Sequence, residues 1–186
     1  MSNNNGVVVF DELPDDLREP AWAFYNMTFA PLTTRAATRH LMTRPEFEAV
    51  MSDRRTPKYL TRDDEGPTGL AVMSADLDAV PLISPPFFAA NWPELYEQRR
   101  LVYCVFIGAV PGARGEGVFV ALQQEIYDRM VAPVAAAVLL DICMWNETQL
   151  KLPWAVEGIL TQIGGSAQAT RVDSQSYWLY EFSAAS

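Results

Sequence analysis

The chain has 186 residues, 49% of them hydrophobic and 20% charged, which suits one domain with a sizeable core spanning residues 1–186. Its net charge of −9, with no basic stripe to neutralise phosphates, argues against a nucleic-acid partner. No apolar run reaches the ~20 residues that a bilayer span requires, and the start lacks the basic and apolar regions of a signal peptide. A cytoplasmic protein without a membrane partner is therefore expected.

In chain order, residues 6–10 read as a short strand. A helix is expected from about Pro14, with acids in its first turn and Leu17, Ala21, Phe24, Tyr25, Thr28 and Phe29 at helical spacing. Pro31 ends it, and Pro20 kinks or delays it. Residues 33–52 read as a second helical stretch broken at Pro45. Residues 58–62 and 68–73 flank a turn-rich 63–67 segment, a hairpin signal. Residues 75–100 form a long, irregular connection carrying Phe87, Phe88, Trp92 and Tyr96 among several prolines. A connection of that length usually has a function or covers something apolar.

Residues 101–110 are an apolar segment of strand length. Next comes Pro111-Gly112-Ala113-Arg114-Gly115-Glu116-Gly117, and then Val118, Ala121, Leu122, Ile126 and Met130 along one helix face. A strand that empties through a glycine-rich turn into a helix presents backbone N–H groups and the positive end of a dipole to an anion. Arg114 adds a charge with a fork of donors, or is an exposed arginine at a helix start. The spacing fits neither a P-loop nor a dinucleotide fingerprint. Residues 134–144 are a further apolar strand candidate, 148–163 a helix weakened by Pro153 and Gly158, and 167–172 and 177–182 closing strands. Cys104 and Cys143 lie in strand-like runs and read as reduced core thiols. His40 is the single histidine and lies far away in sequence, and no metal-ligand spacing occurs, so no metal is expected.

The 111–119 run resembles the pyrophosphate loop of the GNAT (Gcn5-related) N-acetyltransferases, P-x-x-R-G-x-G-[IV]-G. Pro111, Arg114, Gly115, Gly117 and Val118 match, and Phe119 stands where the family prefers Gly or Ala. The element order β, α, α, β, β, long connection, β, α, β, α, β, β is also that of the family across nearly the whole chain. Asn146 follows the fifth strand, where the family often has an asparagine. The family's later helical tyrosine is replaced by Pro153 and Trp154, and its closing glycine–phenylalanine pair by Gly164-Gly165-Ser166, which marks a divergent member.

The resemblance implies an α/β (α+β) fold. Its sheet would be mixed and mostly antiparallel, with six or seven strands, a splayed parallel central pair and about four flanking helices. It implies acetyl-CoA or another acyl-CoA as co-substrate, its pyrophosphate over the amides of Arg114, Gly115, Glu116, Gly117, Val118 and Phe119. The pantetheine arm would pair with backbone at Ile107, Gly108 and Ala109, with Asn146 nearby. The implied activity is acyl transfer to an amine of a small molecule by direct attack in a ternary complex. A catalytically weak CoA- or anion-binding protein and an acyl-homoserine-lactone-synthase-like transferase are the alternatives. Asp141, an acid amid apolar residues, is a candidate base if burial raises its pKa, or a carboxylate paired near a strand end. Tyr177 and Tyr180 are candidate proton donors, or aromatics packed on an edge strand; Tyr103 has the same two readings. Tyr25, Phe29, Phe87 and Trp92 would wall the acceptor site, or form a satellite core under the long connection. A homodimer is compatible with all of this.

Overall fold

The structure, a computed structural model, describes residues 6–37, 41–81, 83–115, 117–164 and 166–181. One sheet contains β1 (Val8–Phe10), β2 (Lys58–Asp63), β3 (Gly66–Ser74), β4 (Leu101–Ala109) and β5 (Ala137–Leu139), adjacent in chain order. The first three pairings are antiparallel, and β4 and β5 run parallel. The α-helices are α1 (Asp15–Phe29), α2 (Arg44–Ser52), α3 (Pro85–Asn91), α4 (Pro93–Glu97), α5 (Val118–Ile126), α6 (Met144–Thr148) and α7 (Leu152–Gly164).

The mixed, mostly antiparallel architecture with one parallel pair is the expected one. Five strands among the described residues replace the expected six or seven, and seven helices replace about four. The extra helices are short. Within the long connection, prolines occupy the first turns of α3 and α4, where a missing N–H costs nothing. Residues 166–181 carry strand-like alternation but have no regular structure, and Trp178, Leu179 and Tyr180 are exposed. Alternation makes a strand only when a face is available to bury it.

Pro20 lies inside α1 without ending it, while Ala21, Phe24 and Tyr25 anchor the helix to the core. Pro45 opens α2 instead of breaking a longer helix, because it occupies the first turn. A capping box fixes that start, the Thr43 N–H donating to Glu46 Oε2 at 2.6 Å.

The strands send alternate side chains to two faces. Leu70 and Val72 join Phe24, Tyr25, Phe47, Met51 and Phe106 beneath α1 and α2. Ala71 and Met73 join Val102, Cys104, Val118, Leu122 and Ile126 beneath α5. Lys58 is fully buried at one end of the sheet, where its ammonium donates to the carbonyls of Asp11 and Asp53 and to Thr56 Oγ1. Burial pulls its pKa down to about 8 despite nearby acids.

β4 carries an irregularity of its own. Val72 pairs with Phe106 and Met73 with Cys104, so Val105 is an extra residue, a β-bulge. A bulge bends its strand and increases its twist. Pairing with β5 ends at Tyr103, just before the bulge, and β5 closes at Leu139 rather than extending over residues 134–144. Beyond Tyr103, β4 no longer pairs with the chain leaving β5.

Candidate active site

The turn after β4 is held by close approach. Val110 N–H donates to Thr68 O at 2.8 Å, and Gly115 N–H to Gly112 O at 3.0 Å. A Cβ on Gly115 would lie 1.7 Å from the Val110 carbonyl oxygen, so no other residue fits there. Gly117 takes a left-handed φ of 75° and hands the chain to α5 without a side-chain cap. The first N–H groups of that helix therefore have no acceptor within it, and they point to where its dipole favours an anion. Val118 seats the helix start on Gly69 of β3, at a contact that leaves no room for a Cβ.

Arg114 does not stand free over this turn. Its guanidinium grips Asp63 at 2.9 and 2.7 Å and reaches Glu65 at 3.2 Å, both at the tip of the β2–β3 hairpin. The bidentate contact holds the Asp63 pKa down to about 2. The turn is thus pinned to the neighbouring hairpin.

Beside the divergence of β4 and β5 lies a cavity of about 50 Å³. Met73, Cys104 and Ile107 of the sheet, Phe119, Gln123 and Ile126 of α5, and Val156 and Leu160 of α7 are among its walls. Phe119, the residue that departs from the loop motif, is therefore part of this apolar wall. Burial drives the Cys104 thiol up to about 12.

Solved structures share this fold. The chain is similar to an aminoglycoside acetyltransferase from an uncultured soil metagenomic sample, in complex with sisomicin, at 9% identity and a TM-score of 0.55, covering 96% of this chain and 100% of that one. A second aminoglycoside acetyltransferase from an uncultured soil sample gives 12% and 0.53 over 92% and 98% of the two chains. A variant of the Bacillus halodurans protein BH1408 gives 13% and 0.53 over 94% and 99%. The fold is the GNAT fold. No family model and no curated protein matches the sequence.

On this GNAT frame the candidate residues fall into separate groups. Ile107, Gly108 and Ala109 end β4 at the divergence and lead directly into Arg114, Gly115, Gly117, Val118 and Phe119. Glu116 lies outside the described residues, as does His40. Asn146 is half-buried in α6, next to Trp145, whose ring lies 4.0 Å from the Arg35 guanidinium. Asp141 is exposed, so the apolar burial expected around it is absent, and it lies beyond the end of β5. Its Oδ1 accepts a hydrogen bond of 3.0 Å from the Tyr103 hydroxyl, which joins the two diverging segments. Burial and the Asp141 charge together raise the Tyr103 pKa strongly, so this hydroxyl keeps its proton.

Tyr177 and Tyr180 lie on the irregular C-terminal segment, 57% and 75% exposed, and not on a closing strand. Tyr25 is buried, its ring 5.0 Å from those of Phe29 and Phe106. Phe87 and Trp92 pack with Phe88, which meets Tyr103 in another cluster. The four expected wall residues thus divide between two clusters. Three features escaped the sequence reading: the Val105 bulge, the Asp63 anchor and Gln123. The last left a signal, since Gln123 is one turn after Phe119 and one before Tyr127 on a mostly apolar helix. No helix among the described residues is long and apolar enough to cross a membrane, and no group of three or more potential metal ligands occurs among them.

Proposed function

We propose that this chain is an acyl-CoA-dependent N-acyltransferase, with acetyl-CoA as donor and an amine of a small molecule as acceptor. The observation that carries the reading is the juxtaposition of the Gly115–Gly117 turn with the end of the β4–β5 pairing. The turn and the start of α5 offer amides to a pyrophosphate. Beyond the bulge, backbone at Ile107, Gly108 and Ala109 would pair with the pantetheine arm. Asn146 and Glu116 are the other proposed contacts of the coenzyme. Arg114 contributes by fixing the turn through Asp63.

Donor and acceptor held in one cleft would react as if within one molecule. The amine nitrogen attacks the thioester carbonyl, the C–S bond breaks, and the thiolate takes up a proton. Asp141 is the proposed base for the amine, acting as an exposed carboxylate held by the Tyr103 hydroxyl and not as the buried acid expected from the sequence. Tyr177 and Tyr180 remain the proposed proton donors to the thiolate, brought in by the C-terminal segment. Tyr25, Phe29, Phe87 and Trp92 would act as walls of the acceptor site, Tyr25 from within the core. The net charge of −9 suits a cationic amine acceptor.

The test is thermal unfolding with acetyl-CoA and free CoA, followed by thiol release across a panel of amines that includes aminoglycosides. Ligand at a hundredfold excess over its Kd should stabilise the native state by about 2.7 kcal/mol. Gly115→Ala should abolish the shift. No shift for the wild-type protein at millimolar ligand would sink the reading. Binding without thiol release would favour a CoA-binding protein without efficient catalysis, a role consistent with Arg114 being committed to Asp63.

A further inference from the structure

Gln123 is 5% exposed, and neither its Oε1 nor its Nε2 has a hydrogen-bond partner. It lines the cavity beside β4, whose other walls, among them Cys104, Ile107, Phe119 and Leu160, are apolar or a thiol. A buried carboxamide that pairs with nothing destabilises the free protein, where methionine of similar length would not. The position is also specific. It adjoins β4 beyond Tyr103, where the strand has lost its β5 partner. It lies on α5, whose start forms the anion cradle.

A carboxamide presents one acceptor and two donors at its tip. That is the complement of a secondary amide, which offers a carbonyl and an N–H. A plain acyl chain would fill the apolar walls and leave Gln123 unpaired; an arm that contains amides would meet both requirements.

We propose that Gln123 is the amide-reading residue of this cleft, its side chain hydrogen-bonding a secondary amide in the arm of the acyl donor. The inference rests on the coenzyme reading above and adds a side-chain determinant to it. The free protein then holds an unmet donor and acceptor that binding satisfies, so recognition of the arm is coupled to the relief of that cost.

Titration calorimetry on the full-length protein and on Gln123→Met, using acetyl-CoA and adenosine 3′,5′-bisphosphate, tests it. The bisphosphate carries phosphate charge but no amide-bearing arm. Gln123→Met should weaken acetyl-CoA binding roughly tenfold, leave bisphosphate binding unchanged and raise the Tm of the ligand-free protein. Equal or tighter acetyl-CoA binding by the variant overturns the inference alone. So does an equal loss for both ligands, which would trace the effect to a disturbed α5. Wild-type protein that binds neither ligand overturns the coenzyme reading and this inference with it.

Discussion

The two faces of the sheet are packed to different standards. Under α1 and α2, Tyr25 and Phe47 are almost completely buried, with ring centroids 5.3 Å apart, and Phe29 closes onto Gly108 of β4. Under α5 and α7 there is a cavity, an unpaired carboxamide, and a helix α7 with no fully buried residue. The first face fixes β4 in place. The second is the more loosely filled side, and the parts of proteins that admit ligands are generally drawn from their less stable regions.

The sharpest way to break this contrast is a pair of truncations read by urea unfolding. Phe47→Ala should cost about 3–5 kcal/mol, since it empties a filled core site. Leu160→Ala, at a half-buried site on the other face, should cost only about 1–2 kcal/mol. Equal losses would show that both faces are equally well packed.

Thiol chemistry sharpens the picture of the open side. With its pKa raised to about 12, Cys104 should react with a disulfide reagent at pH 8 on the order of a thousandfold more slowly than in the unfolded chain. Half-buried Cys143 should react first. Similar rates for the two would mean that the cavity face opens on the timescale of the assay.

The smallest effect concerns α7 itself. A Cβ at Gly158 would meet nothing within 4 Å, so Gly158→Ala should stabilise the protein by about 0.5–1 kcal/mol. A loss, measured by thermal unfolding, would show that α7 needs flexibility there to stay folded.

The β2–β3 hairpin and the β4–turn–α5 unit were legible because their signals are local: turn residues between alternating runs, and glycines ahead of a periodic face. Long-range geometry was not. The run from Leu101 to Val110 is apolar almost throughout, so its pattern hides the bulge at Val105. Residues 134–144 looked like one long strand because hydrophobicity does not report where a pairing partner turns away. The C-terminal alternation promised strands, yet nothing local specifies an edge to receive them. Within the site, Gly115 and Gly117 were readable from sequence. The partner of Arg114 was not, because Asp63 lies 51 residues away.

The extra residue in β4 also bears on how such a cleft could be lost. Were Val105 deleted, Cys104 and Phe106 would become consecutive and still face opposite sides, so a regular pleat would carry the same side chains to both faces. What would vanish is the added twist that turns β4 away from its parallel neighbour. The opening between the strands therefore depends on how many residues β4 contains, more than on which ones. A one-codon deletion could close it while leaving every hydrophobic pattern intact.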